Sequence, residues 1–387
     1  MIHGRSLAKG LLIGATAVFA LARFGVLHAQ ESESAGALLE ASQWQQIDRS
    51  VESGLSWLAG QQQRDGSFPT LPQGQPGVTS LCIMAFLSHG HLPGEGPYGD
   101  QLQLAVDYVL GCQKRSGMLA FISPNGVKLS RNVSHVVGST AAYNHAISGL
   151  VLSETYGIQG ERPASKVRPA IRRALDVTLQ MQKWRKDNPN DLGGWRYVLD
   201  MDADDSDVSI TGWHLMFLRS AKNAGFDIAK EPIDEAVGYV RRCFRPRSST
   251  FAYTQSPMYS NYTSRGVTGA GILALAHAGL HDTPESQQAG DWLLQNRFDQ
   301  YNNNPVYLER YHYGLLTCSQ AMYQLGGRHW QQFFPSTAIT LVGSQLPDGS
   351  WPRESHHRDG AYGSAYSSAI CLITLGTPND LLPIFQR

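Results

Sequence analysis

The strongest candidate for chemistry in this sequence is a run of acidic residues near the middle of the chain. It reads Asp200-Met-Asp202-Ala-Asp204-Asp205-Ser206-Asp207. A carboxylic acid held among other carboxylates and away from water has a raised pKa, so it can stay protonated near neutral pH and act as a general acid. We therefore take Asp202, Asp204 and Asp205 as the candidate catalytic residues.

The same run also has an ordinary structural explanation, because an apolar helix is predicted to follow it. Acidic side chains are favoured at the positive end of a helix dipole. Ser206, Asp207 or Ser209 would each be a suitable N-cap, whose side chain accepts a hydrogen bond from a free backbone N–H group. We expect Asp207 or Ser209 to cap the helix, and we keep Asp204 and Asp205 as the best catalytic candidates.

A site that holds a ligand beside such an acid also needs lining side chains, and aromatic rings suit this role because their faces attract positive charge. Aromatic and imidazole side chains occur within three of the predicted apolar helices. The candidate cavity-binding residues are Tyr143, His145, Trp213, His214, Tyr311 and His312. For the histidines the alternative is a structural one, in which partly buried imidazoles are satisfied by protein partners.

These candidates are positioned by a repeated unit. Its clearest copy has a helix, then the turn Gln345-Leu-Pro-Asp348-Gly349-Ser350-Trp351, then a polar loop and an apolar helix. The Asp-Gly pair strongly favours a turn, and the amide of Gln345 can bond carbonyls that a helix end leaves free. Gln62-Gln-Arg-Asp65-Gly66-Ser67-Phe68 repeats the pattern. Weaker copies follow Tyr108, Leu179, Tyr239 and Trp292, which makes six copies in all.

Two kinds of helix alternate along these copies. The apolar helices are predicted at Val78–His89, Thr140–Tyr156, Ser209–Ala224, Gly266–Ala278, Tyr311–Leu325 and Ser364–Leu375. A glycine follows most of them, as expected for a helix C-cap. The helices that precede them are amphipathic. Six apolar helices alternating with six amphipathic ones predict an all-α fold, an α6/α6 toroid of two concentric rings with small loop insertions; an open solenoid is the alternative.

The repeated turn resembles that of the terpenoid cyclase and protein prenyltransferase superfamily, the squalene cyclase-like proteins. The resemblance covers nearly all of the chain after residue 43. It implies an isoprenoid-like hydrophobic ligand in the central cavity. Asp202-x-Asp204-Asp205 resembles the Asp-x-Asp-Asp motif of class II terpene cyclases, and the resemblance implies that Asp204 is the proton donor.

Glu309-Arg-Tyr311-His312 resembles the Asp-x-Tyr-His motif of protein prenyltransferase β subunits, in which the histidine binds zinc. The other two ligands implied by that resemblance are an Asp and a Cys, and the corresponding region here reads Arg265-Gly266-Val267. A lone histidine does not make a zinc site. We therefore expect no metal and no cofactor.

The N-terminus has the features of a secretory signal. Arg5 and Lys9 precede an apolar run that is short for a membrane span, and Ala29 ends a suitable cleavage site. We expect a signal peptide at 1–29, a linker at 30–43, the toroid domain at 44–387, and export to the periplasm or beyond. An uncleaved segment would instead anchor the protein at a membrane surface.

Charge and composition narrow the possible partners. Removal of residues 1–29 leaves 29 basic and 32 acidic residues, without a basic tract of the kind that binds nucleic acid. The five cysteines fall in or beside predicted helices, which suggests small buried side chains, although one disulfide would be compatible with export. Two alternative functions remain, a non-catalytic binding or scaffold toroid and a glycan-active α/α toroid.

Overall fold

The computed structural model describes residues 38–124, 131–159, 166–198, 205–256, 263–305, 309–356 and 358–386. The chain forms two compact units, residues 1–46 and residues 47–387. The predicted signal peptide 1–29 and most of the linker 30–43 lie outside the described residues. Among the helices that are described, none is long and apolar enough to cross a membrane.

The described part of the chain contains twelve α-helices and one short hairpin. The odd-numbered helices are α1 (Ala41–Gly60), α3 (Gly99–Gly111), α5 (Val167–Gln182), α7 (Lys230–Arg242), α9 (Pro284–Gln295) and α11 (Gly327–Gly343). The even-numbered helices are α2 (Gly77–Leu87), α4 (Arg131–Gln159), α6 (Val208–Asn223), α8 (Arg265–Ala276), α10 (Tyr311–Leu325) and α12 (Ser364–Leu375). Strands β1 (Phe244–Arg245) and β2 (Thr250–Phe251) pair antiparallel between α7 and α8.

The even-numbered helices form a closed inner ring in the second unit. Each packs against the next one, from α2 through α4, α6, α8 and α10 to α12, and α12 packs against α2. The odd-numbered helices from α3 to α11 pack against the outside of this ring, and Gly54 of α1 lies against Leu372 of α12. The predicted α6/α6 toroid is therefore confirmed.

The burial of each helix follows its composition. All eleven residues of α2 are buried, and α8 is buried from Arg265 to Leu275, as expected for helices that have neighbours on every side. In the outer helix α7, the buried residues Ile233, Ala236, Val237 and Val240 have the spacing of a single apolar stripe.

The repeated turn joins one outer helix to the next. The amide of Gln62 donates to the carbonyl of Gly66 inside its own turn and to that of Gln101 in α3. A Cβ on Gly66, whose φ is +91°, would lie 2.4 Å from the carbonyl oxygen of Leu104, so only glycine fits. The glutamine amide therefore ties its turn to the neighbouring outer helix.

The same turn closes the ring between the last and the first repeat. Gln345 donates to the carbonyls of Gly349 and Ser50 at 2.8 Å, and the Ser50 hydroxyl donates back to Gln345 Oε1 at 2.7 Å. The ring of Trp351 is fully buried and lies against Gly54 of α1. These contacts confirm the expectation that the two ends of the repeat array meet.

Two details of the helices differ from the expected ones. Helix α4 begins at Arg131 instead of Thr140, so it is longer at its N-terminus than predicted. One interior glycine, Gly138, costs only about 1 kcal/mol in a helix, which the burial of Val137 can offset. Gly157 lies inside α4, and Gly376 has a φ of −80°, so neither is a left-handed C-cap.

The long loops of the second unit gather at one rim, because each precedes the N-terminus of an inner helix. The loops are bonded across this rim to one another and to the inner helices. Val198 N–H donates to Gly138 O, Val208 N–H to Tyr253 O, and the amide of Asn302 to Arg353 O. The rim where the inner helices begin is therefore built from these loops and is called the loop rim below.

The C-terminal segment, residues 377–386, covers the opposite rim. Its Leu382, Ile384 and Phe385 are buried. The backbone N–H of Ile384 donates to Glu154 of α4 at 3.1 Å, and Thr377 accepts from Gln320 of α10 at 2.9 Å. Since this segment bonds helices on several sides of the ring, it closes that rim.

Candidate functional site

Tyrosines from several elements meet at the loop rim, and we call this group the tyrosine mouth. Its members are Tyr143, Tyr197, Tyr253, Tyr313, Tyr362 and Tyr366. The rings of Tyr143 and Tyr197 lie 6.4 Å apart, and those of Tyr362 and Tyr366 lie 5.9 Å apart. The group therefore offers both aromatic faces and phenol hydroxyls.

Two tyrosines of this mouth contact neighbouring inner helices. The Tyr143 hydroxyl of α4 lies 2.8 Å from that of Ser209 on α6, and the Tyr313 ring of α10 lies over Gly266 of α8. Burial raises the pKa of Tyr143 well above its usual range, and the neighbouring Tyr197, Asp207 and Tyr313 raise it further.

A guanidinium and two carboxylates form the charged centre of this mouth. Arg196 Nη1 lies 2.6 Å from Asp207 Oδ2, and its Nε lies 3.0 Å from Asp205 Oδ1. The guanidinium stacks 4.3 Å from the centre of the Tyr197 ring and donates to the Tyr253 hydroxyl at 2.9 Å. Arg196 therefore links the acidic run to two of the tyrosines.

Asp207 is the N-cap of α6, as expected for one of the polar residues before this helix. Its Oδ1 accepts from the backbone N–H of Ile210 at 2.8 Å and from the Ser209 hydroxyl at 2.7 Å. The Ser209 and Tyr143 hydroxyl oxygens are 2.8 Å apart. Asp207 thus accepts hydrogen bonds from a backbone N–H group and a hydroxyl, and it pairs with the Arg196 guanidinium. This is the arrangement of a structural carboxylate.

Asp205, a candidate catalytic residue, lies at the edge of the same centre. Burial raises its pKa, and the ion pair with Arg196 opposes that rise without cancelling it. The other two catalytic candidates, Asp202 and Asp204, lie outside the described residues. Their role stays a prediction.

A second carboxyl of the loop rim has a raised pKa. Burial raises the pKa of Asp359 to about 6, although Arg310, 3.3 Å away, lowers it. The charge of Asp359 in turn raises the pKa of Tyr362 and of Tyr366. Asp359 therefore belongs to the tyrosine mouth and can hold a proton in mildly acidic solution.

His145 and His214 lie in the wall between the two rings. Both are fully buried. His145 Nδ1 accepts from Leu119 N–H at 3.1 Å, and Nε2 lies 3.1 Å from both Ala174 O and Thr178 Oγ1 of α5. His214 stacks on Trp195 at 5.1 Å. Burial lowers the pKa of His145 to about 4 and holds that of His214 well below its usual range, so both are neutral wall residues at pH 7.

Tyr311 and His312 also belong to the wall, and Trp213 is buried in α6. The Tyr311 ring packs 5.4 Å from Phe298 and 5.1 Å from Tyr301. Of the six expected cavity-binding residues, Tyr143 is the one that we find in the tyrosine mouth.

His312 is held by two protein partners. Its Nδ1 lies 3.0 Å from Glu354 Oε2, and its Nε2 lies 2.8 Å from the Tyr301 hydroxyl. Burial alone would raise the pKa of Glu354, but the hydrogen bond and charge of His312 lower it to about 2. Since both ring nitrogens are engaged, neither lone pair is directed at an open metal position. No cluster of metal-binding side chains occurs within the described residues.

Several residues in and around the tyrosine mouth were not identified from the sequence, among them Arg196, Tyr253, Asp359 and Tyr366. Two of the tyrosines had a usable signal, because Tyr313 and Tyr366 are both the third residue of an inner helix. An alignment of the repeats by their inner helices would have placed these two side chains in register. Arg196 and Asp359 lie in irregular loops, where the sequence has no such register.

Neither a protein-family model nor a curated protein matches this sequence. Solved structures match over most of the chain. A variant of the type II terpene cyclase MstE from Scytonema, in complex with merosterolic acid A, is 15% identical with a TM-score of 0.51, covering 88% of this chain and 99% of that one. A D-mannose isomerase is 12% identical with a TM-score of 0.57, covering 86% and 97%.

A sugar epimerase from a ruminal bacterium is 13% identical, with a TM-score of 0.56, and the match covers 85% of this chain and 98% of that one. At these identities the similarity establishes the fold. The chain is an α/α toroid, an architecture that terpene cyclases share with sugar isomerases and epimerases.

Proposed function

We propose that this protein binds a small, largely apolar molecule of the isoprenoid type inside its ring, through the tyrosine mouth. The observation that carries the proposal is the convergence of six tyrosines from several elements at one rim. Pockets for small molecules combine aromatic surface with a few polar groups that orient the ligand. The tyrosine rings supply the first, and their hydroxyls with Asp205 and Asp359 supply the second.

The closed second rim supports the same proposal. The C-terminal segment 377–386 fills that end with buried side chains, including Leu382 and Phe385. A ligand would then enter at the loop rim and pass the tyrosines. A ring closed at one end suits an elongated apolar molecule whose polar end remains near the entrance.

The solved toroids supply further support for a small-molecule ligand. MstE variants are described in complex with geranylgeranyl dihydroxybenzoate as substrate and merosterolic acid A as product. A ring of this architecture is therefore able to hold an isoprenoid molecule.

Conversion of the ligand would need an acid beside an aromatic face. Asp205 and Asp359 are carboxyls of the loop rim whose pKa is raised, mainly by burial. Asp207 does not suit this role, since it is the N-cap of α6 and pairs with Arg196.

We propose export through residues 1–29 as a separate point, to be checked by cell fractionation and sequencing of the mature N-terminus.

The proposal is tested first by extracting lipids from the purified protein and identifying them by mass spectrometry. Titration with geranylgeraniol and, in parallel, with D-mannose then separates an isoprenoid ligand from a sugar. We expect binding of the isoprenoid alone.

A pair of variants locates the site. Tyr366→Ala removes an aromatic ring from the mouth and should weaken geranylgeraniol binding about tenfold, since a buried aromatic contact is worth about 1.5 kcal/mol or more. Tyr108→Ala makes the same change on the outer helix α3 and should leave the affinity unchanged. Equal effects of the two variants, or binding of D-mannose alone, would refute the proposal.

A further inference from the structure

The outer helix α5 carries positive charge on its solvent-facing side. Arg172 and Arg173 are exposed within it, and Lys166 and Lys183 are exposed directly before and after it. Lys166 lies about two turns before Arg173, and Lys183 lies about three turns after Arg172, so the four side chains share one face of the helix. The only carboxylate in the sequence from 166 to 184 is that of Asp176.

The turn after α3 adds two cations to the same surface. The amide of Gln113 donates to Ala170 O of α5 at 2.8 Å and accepts from Arg173, so this turn lies against α5. It contains the half-buried Lys114 and the exposed Arg115, and no carboxylate occurs between 113 and 121. We call these six cations the basic face, which consists of Lys114, Arg115, Lys166, Arg172, Arg173 and Lys183.

The other outer helices do not share this charge. Helices α1, α3 and α9 each carry a net negative charge, α7 is neutral, and α11 has one arginine and no acidic residue. The whole chain has 32 basic and 32 acidic residues, so the excess on α5 is balanced elsewhere. Such an asymmetry attracts anionic surfaces, over a distance of about 10 Å at 0.1 M salt.

Two exposed aromatic side chains flank the basic face. Phe121 is 48% exposed, and its carbonyl accepts from Lys114 Nζ at 2.7 Å. Trp184 is 41% exposed and directly follows Lys183. Aromatic rings are favoured at the boundary between lipid and water, and clusters of lysine and arginine are attracted to anionic lipids. The surface therefore combines the two kinds of side chain that hold a protein at a lipid interface.

We propose that the basic face docks this protein on a membrane surface that contains anionic phospholipids, with Phe121 and Trp184 entering the headgroup layer. The cations lie near the lipid phosphates, and the two rings leave water. A nucleic acid would also attract the cations through its phosphates. It offers no apolar layer for both rings, so the observations favour lipid.

Docking through this face would bring the loop rim close to the lipid. The backbone N–H of Phe121 donates to Gln75 O at 3.0 Å, and the amide of Asn144 donates to the same oxygen at 2.8 Å. Asn144 directly follows Tyr143, a member of the tyrosine mouth. The inference goes beyond the proposed function and does not depend on it, since it concerns the outside of the ring.

The first experiment measures sedimentation of the full chain with vesicles at 0.1 M salt. Vesicles of equal parts phosphatidylcholine and phosphatidylglycerol should bind the protein, and phosphatidylcholine alone should bind it about a hundredfold more weakly or less. At 1 M salt the binding should be lost, because the screening length falls to about 3 Å. Equal binding to both kinds of vesicle, binding to neither, or a preference for a short DNA duplex would overturn the inference.

A matched pair of variants locates the surface. Arg172→Gln with Lys183→Gln removes two charges from the basic face and should weaken binding to the anionic vesicles about thirtyfold. Arg49→Gln with Arg64→Gln removes the same charge from exposed positions of α1 and the first turn, and should have little effect. Circular dichroism checks that both variants fold, and all proteins keep the same N-terminus, so its contribution cancels. Equal losses for the two pairs would refute the basic face.

A second pair tests the aromatic contact. Trp184→Ala should weaken binding to the anionic vesicles about tenfold, because its ring no longer leaves water. Leu346→Ala, which changes an exposed apolar residue of the last turn, should leave the affinity unchanged. An unchanged affinity for Trp184→Ala would contradict the docking geometry. None of these vesicles contains an isoprenoid, so failure of the docking inference would leave the proposed function intact.

Discussion

Closure of the ring can be tested at the hydrogen bonds that join its last repeat to its first. Gln345 donates to Gly349 O and Ser50 O and accepts from the Ser50 hydroxyl. Gln62 occupies the same place in the first repeat and donates to Gly66 O and Gln101 O. Gln345→Ala therefore removes hydrogen bonds between the last repeat and the first. Gln62→Ala removes the equivalent bonds between the first repeat and the second.

The expected losses follow from the bonds removed. An internal hydrogen bond contributes about 1 kcal/mol to stability. Gln345→Ala removes three bonds and should cost about 2–3 kcal/mol, and Gln62→Ala removes two and should cost about 2 kcal/mol. In an open arc the two bonds to Ser50 would not exist, and Gln345→Ala would cost only about 1 kcal/mol.

The assay is urea unfolding followed by circular dichroism, and the free energy of unfolding is compared among the variants. Gln331→Ala, an exposed change on α11, is the control and should have little effect. A loss for Gln345→Ala that is half that of Gln62→Ala or less would refute the closed ring.

Three further predictions concern side chains in the second unit. Asp207→Asn keeps the N-cap but removes a buried charge beside Arg196, and should lower the free energy of unfolding by about 2–3 kcal/mol, whereas Asp187→Asn in an exposed ion pair should change it little. Burial raises the pKa of Glu154 to about 7, so its contribution to stability is present below pH 4.5 and is lost as the pH rises through 7. Between pH 5 and pH 8, urea unfolding should therefore show the native protein losing stability relative to Glu154→Gln, on the order of 3 kcal/mol; a difference independent of pH would contradict this. The five cysteines are buried and unpaired, so a thiol reagent should label none in the native protein and five in urea, and a lower count in urea would indicate a disulfide.

The sequence determined the architecture because the residues that define each repeat lie close together in the chain. The clearest copies have a glycine at the turn, a glutamine before it and an aromatic residue after it, so the copies can be recognised in order along the chain. The periodicity of apolar residues then separated inner from outer helices. In α10 and α12, Tyr311–Leu325 and Ser364–Leu375, even the helix bounds agree with those predicted.

Which residues belong to the site depends on the face of the helix that each side chain occupies. His145 and Tyr143 are two positions apart on α4, so their side chains point about 200° away from each other. The Tyr143 hydroxyl bonds Ser209 of α6, and His145 bonds Ala174 of α5 in the wall. Without the ring, nothing in the sequence distinguishes the two faces of a helix that is apolar all round.

The tertiary structure alone brought the loop residues together. Arg196 meets Asp207 across eleven positions and Tyr253 across fifty-seven. These contacts depend on how irregular loops fold over the rim, and loops have no periodicity from which direction can be deduced. The helical repeat can therefore be predicted from the sequence, whereas the tyrosine mouth forms only when the ring closes.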